Sequence, residues 1–150
     1  MSHVYPMFAT PEEAENAFYQ AIAHGDLLAM MNVWSDDEDI LCIQPTGHRL
    51  QGTTAVRESW DSIFKKSPRI VIQINRSLRW TGMVIAVHNV FETVVVEDKQ
   101  KQQELVLATN IFQRGARGWK MYSHHASIAA ERNLIAQSEV GTDSVPRVLH

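Results

Sequence analysis

The stretch Thr109–Ser127, TNIFQRGARGWKMYSHHAS, decides the fold. It reads as two apolar strands joined by Gly115-Ala116-Arg117-Gly118, whose glycines supply the positive-φ positions that a short hairpin loop needs. Strict alternation after the turn puts Trp119, Met121, Ser123, His125 and Ser127 on one face, and Lys120, Tyr122, His124 and Ala126 on the other. On the first strand Val106, Ala108, Asn110 and Phe112 share a face. Because both faces are largely apolar, the hairpin is expected to be covered twice, by helices on one side and by another sheet or subunit on the other.

Working outward, the chain before the hairpin divides by period. Thr10-Pro11-Glu12-Glu13 is a helix start with a cap, a proline at the first helical position and a capping-box glutamate. Ala14, Ala17, Phe18, Ala21 and Ile22 follow at helical spacing, and Gly25 stops the helix. Asp26 caps a second, short helix, Leu27 to Trp34. Ile40–Ile43 is a short strand ended by Pro45, and His48–Gln51 is a second, bracketed by Gly47 and Gly52. Thr53 or Thr54 caps a third helix with Val56, Trp60, Ile63 and Phe64 on its apolar face.

From Pro68 the period is two. Ile70, Ile72, Ile74, Leu78 and Trp80 share one face, with Gln73, Asn75 and Arg79 on the other. Gly82 marks a turn, Met83–Val96 is the longest strand-like run, and Glu97–Glu104 is a polar loop. After the hairpin, Ala129–Gln137 suits a helical turn and residues 138–150 a loose tail. Helix, helix, two short strands, helix and four long strands make an α+β fold. One domain over 1–150, with its core at about 10–130, accounts for the chain.

Composition narrows the partners. Charged residues are 21% of the chain, apolar ones 45%, and the net charge is −3. That balance gives no reason to expect nucleic acid or an anionic membrane as partner. The single cysteine, Cys42, allows no internal disulfide. The start MSHVYPMFATPEE lacks a signal-peptide pattern, so the expected location is cytoplasmic. No His, Cys or carboxylate spacing matches a metal site, and nothing calls for another cofactor.

Three groups of residues carry a family resemblance: the helix-Gly25-Asp26-helix unit; Cys42-Ile43-Gln44-Pro45 followed by Gly52 and Ala55-Val56-Arg57-Glu58-Ser59-Trp60; and Thr109-Asn110-Ile111-Phe112 with Gly118-Trp119 and His124-His125-Ala126-Ser127. Over roughly Pro11–Ser127 the chain resembles the SnoaL-like branch of the nuclear transport factor 2-like superfamily. That superfamily has the cystatin-like fold and also contains the ketosteroid isomerases. The resemblance implies a cone: a strongly curved antiparallel sheet wrapped against three helices, with an internal apolar pocket. It also implies homodimers paired through the outer faces of the long strands.

The isomerase residues do not carry over. Their oxyanion-donating tyrosine falls on Phe18, with Tyr19 one residue off and pointing elsewhere. Their general base falls on Gln44, and their second oxyanion acid on Asn110, an amide where a protonated carboxylic acid is needed. Steroid-type isomerisation by that route is not expected.

His125 is the candidate acid–base, because it shares the face of Trp119 and Met121. The alternative is a structural histidine bonded to a carbonyl or to Ser127. His124 is expected at an interface or on the surface, and His88 in the core or an interface. Asn110, a polar residue among Val106, Ala108 and Phe112, either anchors a ligand or ties to His125. Gln44 is either a pocket group or a strand end. Phe18, Trp34, Trp60, Phe112, Trp119 and Met121 line the pocket or pack its base. Cys42 is expected to be inert, and Asp36–Asp39 a solvated turn. The reading is a homodimer holding a small apolar or aromatic molecule. Its alternative is an isomerase, dehydratase or cyclase working through His125, and a purely structural association module is a third possibility.

Overall fold

The computed structural model describes residues 5–67, 69–96 and 102–130. The elements run α1 (Pro11–His24), α2 (Leu27–Val33), β1 (Leu41–Ile43), β2 (Arg49–Gln51), α3 (Thr53–Lys66), β3 (Ile70–Thr81), β4 (Ile85–Val96), β5 (Gln102–Gly115) and β6 (Gly118–Ile128). The expected order of elements holds. Thr10 accepts from the Glu13 amide, and Glu13 reaches back to the Ala9 amide at 2.7 Å. Gly25 closes α1 in the left-handed region, and Asp26 caps α2. Gly52, not Thr53 or Thr54, stands at the cap of α3, which has no side-chain cap.

One sheet in the order β2-β1-β6-β5-β4-β3 packs against the helices. It is mixed, which corrects the expectation of a purely antiparallel sheet: β1 lies parallel to β6, with Cys42 beside His124. The longest strand is β5, which begins at Gln102 and takes in part of the expected polar loop. Ala129 lies outside any helix, and the rest of the expected helical turn and the tail fall outside the described residues.

Two bulges overturn strict alternation. In β3, Asn75 pairs with Phe91 and Leu78 with Asn89, so Arg76 and Ser77 together face one position of β4. Arg76 takes φ 50, an uncommon conformation for a side chain, and its guanidinium sits 5.6 Å over Phe91. Ile70, Ile72 and Ile74 pack on the core. Past the bulge the parity reverses, so Leu78 and Trp80 are 57% exposed and Arg79 turns toward Glu15. In β6, Ile111 pairs with Ser123 but Phe112 with Met121, leaving Tyr122 as the extra residue. Trp119 and Met121 face inward before it, and His124 and Ala126 after it. An inserted residue shifts every later side chain to the other face.

The hairpin turn requires glycine at Gly118. Its φ is +83, and a Cβ there would lie 2.5 Å from the Phe8 carbonyl oxygen, whose acceptor role toward the Trp119 amide ties the N-terminal segment to the sheet. Gly118→Ala should therefore cost about 2 kcal/mol or more. Urea unfolding of both proteins measures the loss, and equal midpoints would refute this account.

Candidate functional site

Helix α1 carries an acidic residue on its buried face. Glu15 is 1% exposed among Ala14, Phe18 and Ile22. Strand β4 presents His88 and Glu92 on its inner face, at 0% and 3% exposure. Burying these groups is costly unless each finds a partner. Asn110 of β5 supplies most of the pairing. Its Nδ2 donates to Glu15 Oε2 at 3.1 Å and to the Tyr19 hydroxyl at 3.0 Å, and its Oδ1 lies 2.6 Å from His124 Nδ1. Tyr19 in turn donates to Glu92 Oε2 at 2.5 Å. His88 Nδ1 is 2.9 Å from Glu15 Oε2, and the Arg79 guanidinium is 3.8 Å from Glu15 Oε1.

The network has a fixed polarity. With both amide protons of Asn110 given to Glu15 and Tyr19, its oxygen is its acceptor, so His124 carries its proton on Nδ1. Turning the amide over would set Oδ1 against the carboxyl oxygen of Glu15. The Nε2 of His124 is therefore a lone-pair acceptor.

Beside this network lies a cavity of about 140 Å³, walled by Ile22, Ile63, Ile70, Ile72, Val94, Val106 and Ala126. Its polar lining consists of Glu92, His124, Gln44, Glu104 and the indole of Trp60. The exposed Pro45 and part-exposed Glu104 mark its mouth. A volume of about 150 Å³ is enough to hold a benzene ring. Two larger hollows, of about 370 and 380 Å³, lie at the α1–α3–β3 junction and beside the β5–β6 turn, and neither is lined by a member of the network.

Burial sets the protonation of the lining. It pushes the Glu92 carboxyl up to about 7; the Tyr19 hydrogen bond pulls the other way and the charge of Glu15 adds to the rise. Burial, with His125 nearby, pushes His124 down to about 3, so its imidazole stays neutral. Burial and then Glu92 raise Tyr19, which keeps its proton. Cys42 is raised to about 12, chiefly by burial and then by Glu92. Among the described residues, no group of three or more His, Cys, Asp or Glu side chains is arranged to hold a metal ion.

The expected site residues separate into layers. Gln44 and Trp60 line the cavity. Phe18 lies behind them, fully buried, with its ring 5.6 Å from Trp60 and 4.9 Å from His124. Asn110 stands behind the wall and bonds to His124, not to His125. Phe112 packs on His88, and Trp34, Trp119 and Met121 belong to the core; none of these four lines the cavity.

His125 must be corrected. It is exposed on the outer face of the sheet, because the Tyr122 bulge reverses the parity on which its placement rested. For the same reason His124 is interior, against the expectation of an interface or surface position. Tyr19, expected to point elsewhere, is 6% exposed with its hydroxyl in the network. Glu15 and Glu92 were not singled out from sequence. The available signal was the acidic residue on the apolar face of α1, and His88 with Glu92 sharing a face of an apolar strand.

Comparison with protein families matches residues 12–131 to the SnoaL-like domain. The chain belongs to the SnoaL-like domain family. A candidate calcium/calmodulin-dependent protein kinase type II association domain from Thiobacillus denitrificans is 36% identical, covering 83% of this chain and 99% of its own, with a TM-score of 0.77. A candidate dehydratase of the nuclear transport factor 2-like family from Streptomyces avermitilis is 27% identical over 79% of this chain and 92% of its own, with a TM-score of 0.73. A nuclear transport factor 2-like protein of unknown function from Pseudomonas putida shares the fold at 16% identity, 90% and 93% coverage and a TM-score of 0.69. Comparison with curated proteins found no match. This SnoaL-like chain thus has the superfamily's α+β cone, with its six-stranded sheet left open. Among the described residues no helix is long and apolar enough to cross a membrane.

The raised Glu92 makes a signed prediction about this SnoaL-like domain. Between about pH 4.5 and 7 the folded carboxyl keeps a proton that the unfolded chain has released, so stability falls as pH rises through that window. Integrated, the loss is at most about 3 kcal/mol. The lowered His124 acts oppositely, adding stability as pH rises from about 3 to 6.5. Subtracting the urea-unfolding curve of Glu92→Gln from wild type at each pH isolates the carboxyl. A pH-independent difference would contradict it.

Proposed function

We propose that the chain is a single SnoaL-like domain that self-associates and binds one small, largely apolar, ring-sized molecule in the cavity beside Glu92. The observation that carries this reading is the combination of aliphatic walls with a few convergent polar groups at depth. A second reading has a specific observation behind it. Glu92, hydrogen-bonded by Tyr19 and poised near neutral pH, suits general acid–base catalysis, and one relative is a candidate dehydratase. In that reading Glu92 exchanges the proton and His124 Nε2 orients the substrate; His125 has no part.

One screen separates the two. Single-ring compounds are incubated with the protein, and both melting temperature and compound identity are followed. At about 100 times Kd a bound ligand stabilises by about 2.7 kcal/mol. A raised melting temperature with the compound unchanged supports binding. Conversion that disappears in Glu92→Gln supports catalysis. A panel with neither effect would overturn both.

Self-association rests on the outer face of the long strands. Trp80, Val87 and Ile111 form one cross-strand row there, and Phe91 and Leu107 another. Trp80 and Leu78 are more than half exposed, an apolar surface of the kind that marks an interface. The 36%-identical relative's description as an association domain supports the same reading. The expected wild-type species is a dimer, and Trp80→Glu should convert it to monomer without unfolding, by light scattering and circular dichroism. A monomeric wild type would end the proposal.

A further inference from the structure

The reading of the cavity as a small-molecule site leaves the charge of its ligand open, and the lining decides it. We propose that the cavity selects an organic ammonium: an apolar body about one ring in size, carrying a protonated amine held against the carboxylate of Glu92. This inference rests on the cavity being a binding site at all.

The first argument is the sign of the lining. The Glu92 carboxyl belongs to the wall, and among the described residues none of the lining is lysine or arginine. Arg79 lies near Glu15 and is not part of the lining. A carboxylate or phosphate ligand would be carried toward like charge inside apolar walls, where screening is weak. An ammonium would find the opposite.

The second argument is hydrogen-bond polarity. The Nδ1 proton of His124 goes to Asn110, which leaves Nε2 as an acceptor. Gln44 gives one amide proton to Cys42 Sγ at 3.4 Å, which leaves its Oε1 as an acceptor and its second amide proton as a donor. Tyr19 donates to Glu92 and so offers the cavity no proton. With the Glu92 carboxylate these make a surface rich in acceptors, and an ammonium brings three donors and no acceptor. A second donor stands apart from the acidic group. Trp60, 4% exposed and part of the wall, has a buried indole N–H without a partner. It would take one acceptor atom on the same ligand or a water.

Titration follows from the groups around Glu92. Tyr19 and Glu15 approach it from α1, His88 shares its strand, and Arg79 comes from β3. Asn110 and Glu104 belong to β5, His124 to β6 and Cys42 to β1. An ammonium binds the ionised carboxyl, so its affinity rises with pH through the titration of Glu92 and levels off above it.

The test uses the full chain and matched probes: benzylamine, benzyl alcohol and benzoate, measured by calorimetry at about pH 8, where Glu92 is ionised and the amine protonated. Benzylamine should bind at least about tenfold more tightly than the alcohol, and benzoate should not bind. In Glu92→Gln the amine's advantage should shrink to about threefold or less, with the alcohol unaffected. Should that variant fail to fold, wild-type benzylamine affinity should still rise about tenfold between about pH 6 and 8. Equal binding of amine and alcohol, tight binding of benzoate, or a pH-independent amine affinity would overturn the inference while leaving a small-molecule site in place. Binding of none of the three would overturn the cavity reading and this inference together.

Discussion

The interior depends on the carboxamide of Asn110. A side chain with two donors and one acceptor is placed where two acceptors, Glu15 and Tyr19, and one donor, His124, converge from α1 and β6. Hydroxyl, carboxyl, imidazole and amide are each nearly or fully buried, and leaving any of them unpaired would cost about 1–3 kcal/mol. The amide matches this set because it offers different chemistry at its two ends. Aspartate would present two acceptors and repel Glu15; leucine would strand three partners. The network ties helix to sheet, and in doing so it sets the tautomer of His124 and the proton of Tyr19, which define the polar lining of the cavity.

The ionisable character of that lining follows from depth. Glu92 and His124 stand on neighbouring faces of the same cavity, yet burial moves their titrations in opposite directions, because the charged form is anionic in one and cationic in the other. The outcome is a neutral imidazole and a carboxyl near the point of exchange at neutral pH. Where the resemblance to the isomerases would place a carboxylate, this chain has Gln44, and the buried carboxyl of the cavity wall, Glu92, comes from the middle of β4.

Element order and the pairing of the β5–β6 hairpin were legible because hydrophobic period and turn residues are local signals; strand length was not, since β5 outruns β4 and begins inside the expected polar loop. Thr10, Gly25 and Asp26 each act within a few residues of their own position. Such signals, together with the family resemblance, make Gln44 a pocket group or a strand end and Trp60 a residue of the pocket wall or its base; both border the cavity. His125 was placed wrongly, as were Leu78 and Trp80, since counting by twos assumes an unbroken ladder. Arg76 and Tyr122 break it, and a bulge is a relation between two strands that neither sequence announces alone.

By itself the sequence determined an α+β cone of the SnoaL-like kind, a core drawn from the apolar faces of α1, α3 and the long strands, and a chain without a charge bias toward nucleic acid. Its local periodicities suffice for the elements and their core faces, because each element must bury its own apolar face, and the family resemblance adds the cone. Tertiary structure alone decided which histidine faces inward, that Tyr19 joins the interior, and that Glu15, His88, Glu92, Asn110 and His124 converge. Glu15 and Asn110, which are hydrogen-bonded, stand 95 positions apart, and only the registry of three strands against one helix brings such polar atoms within hydrogen-bond reach.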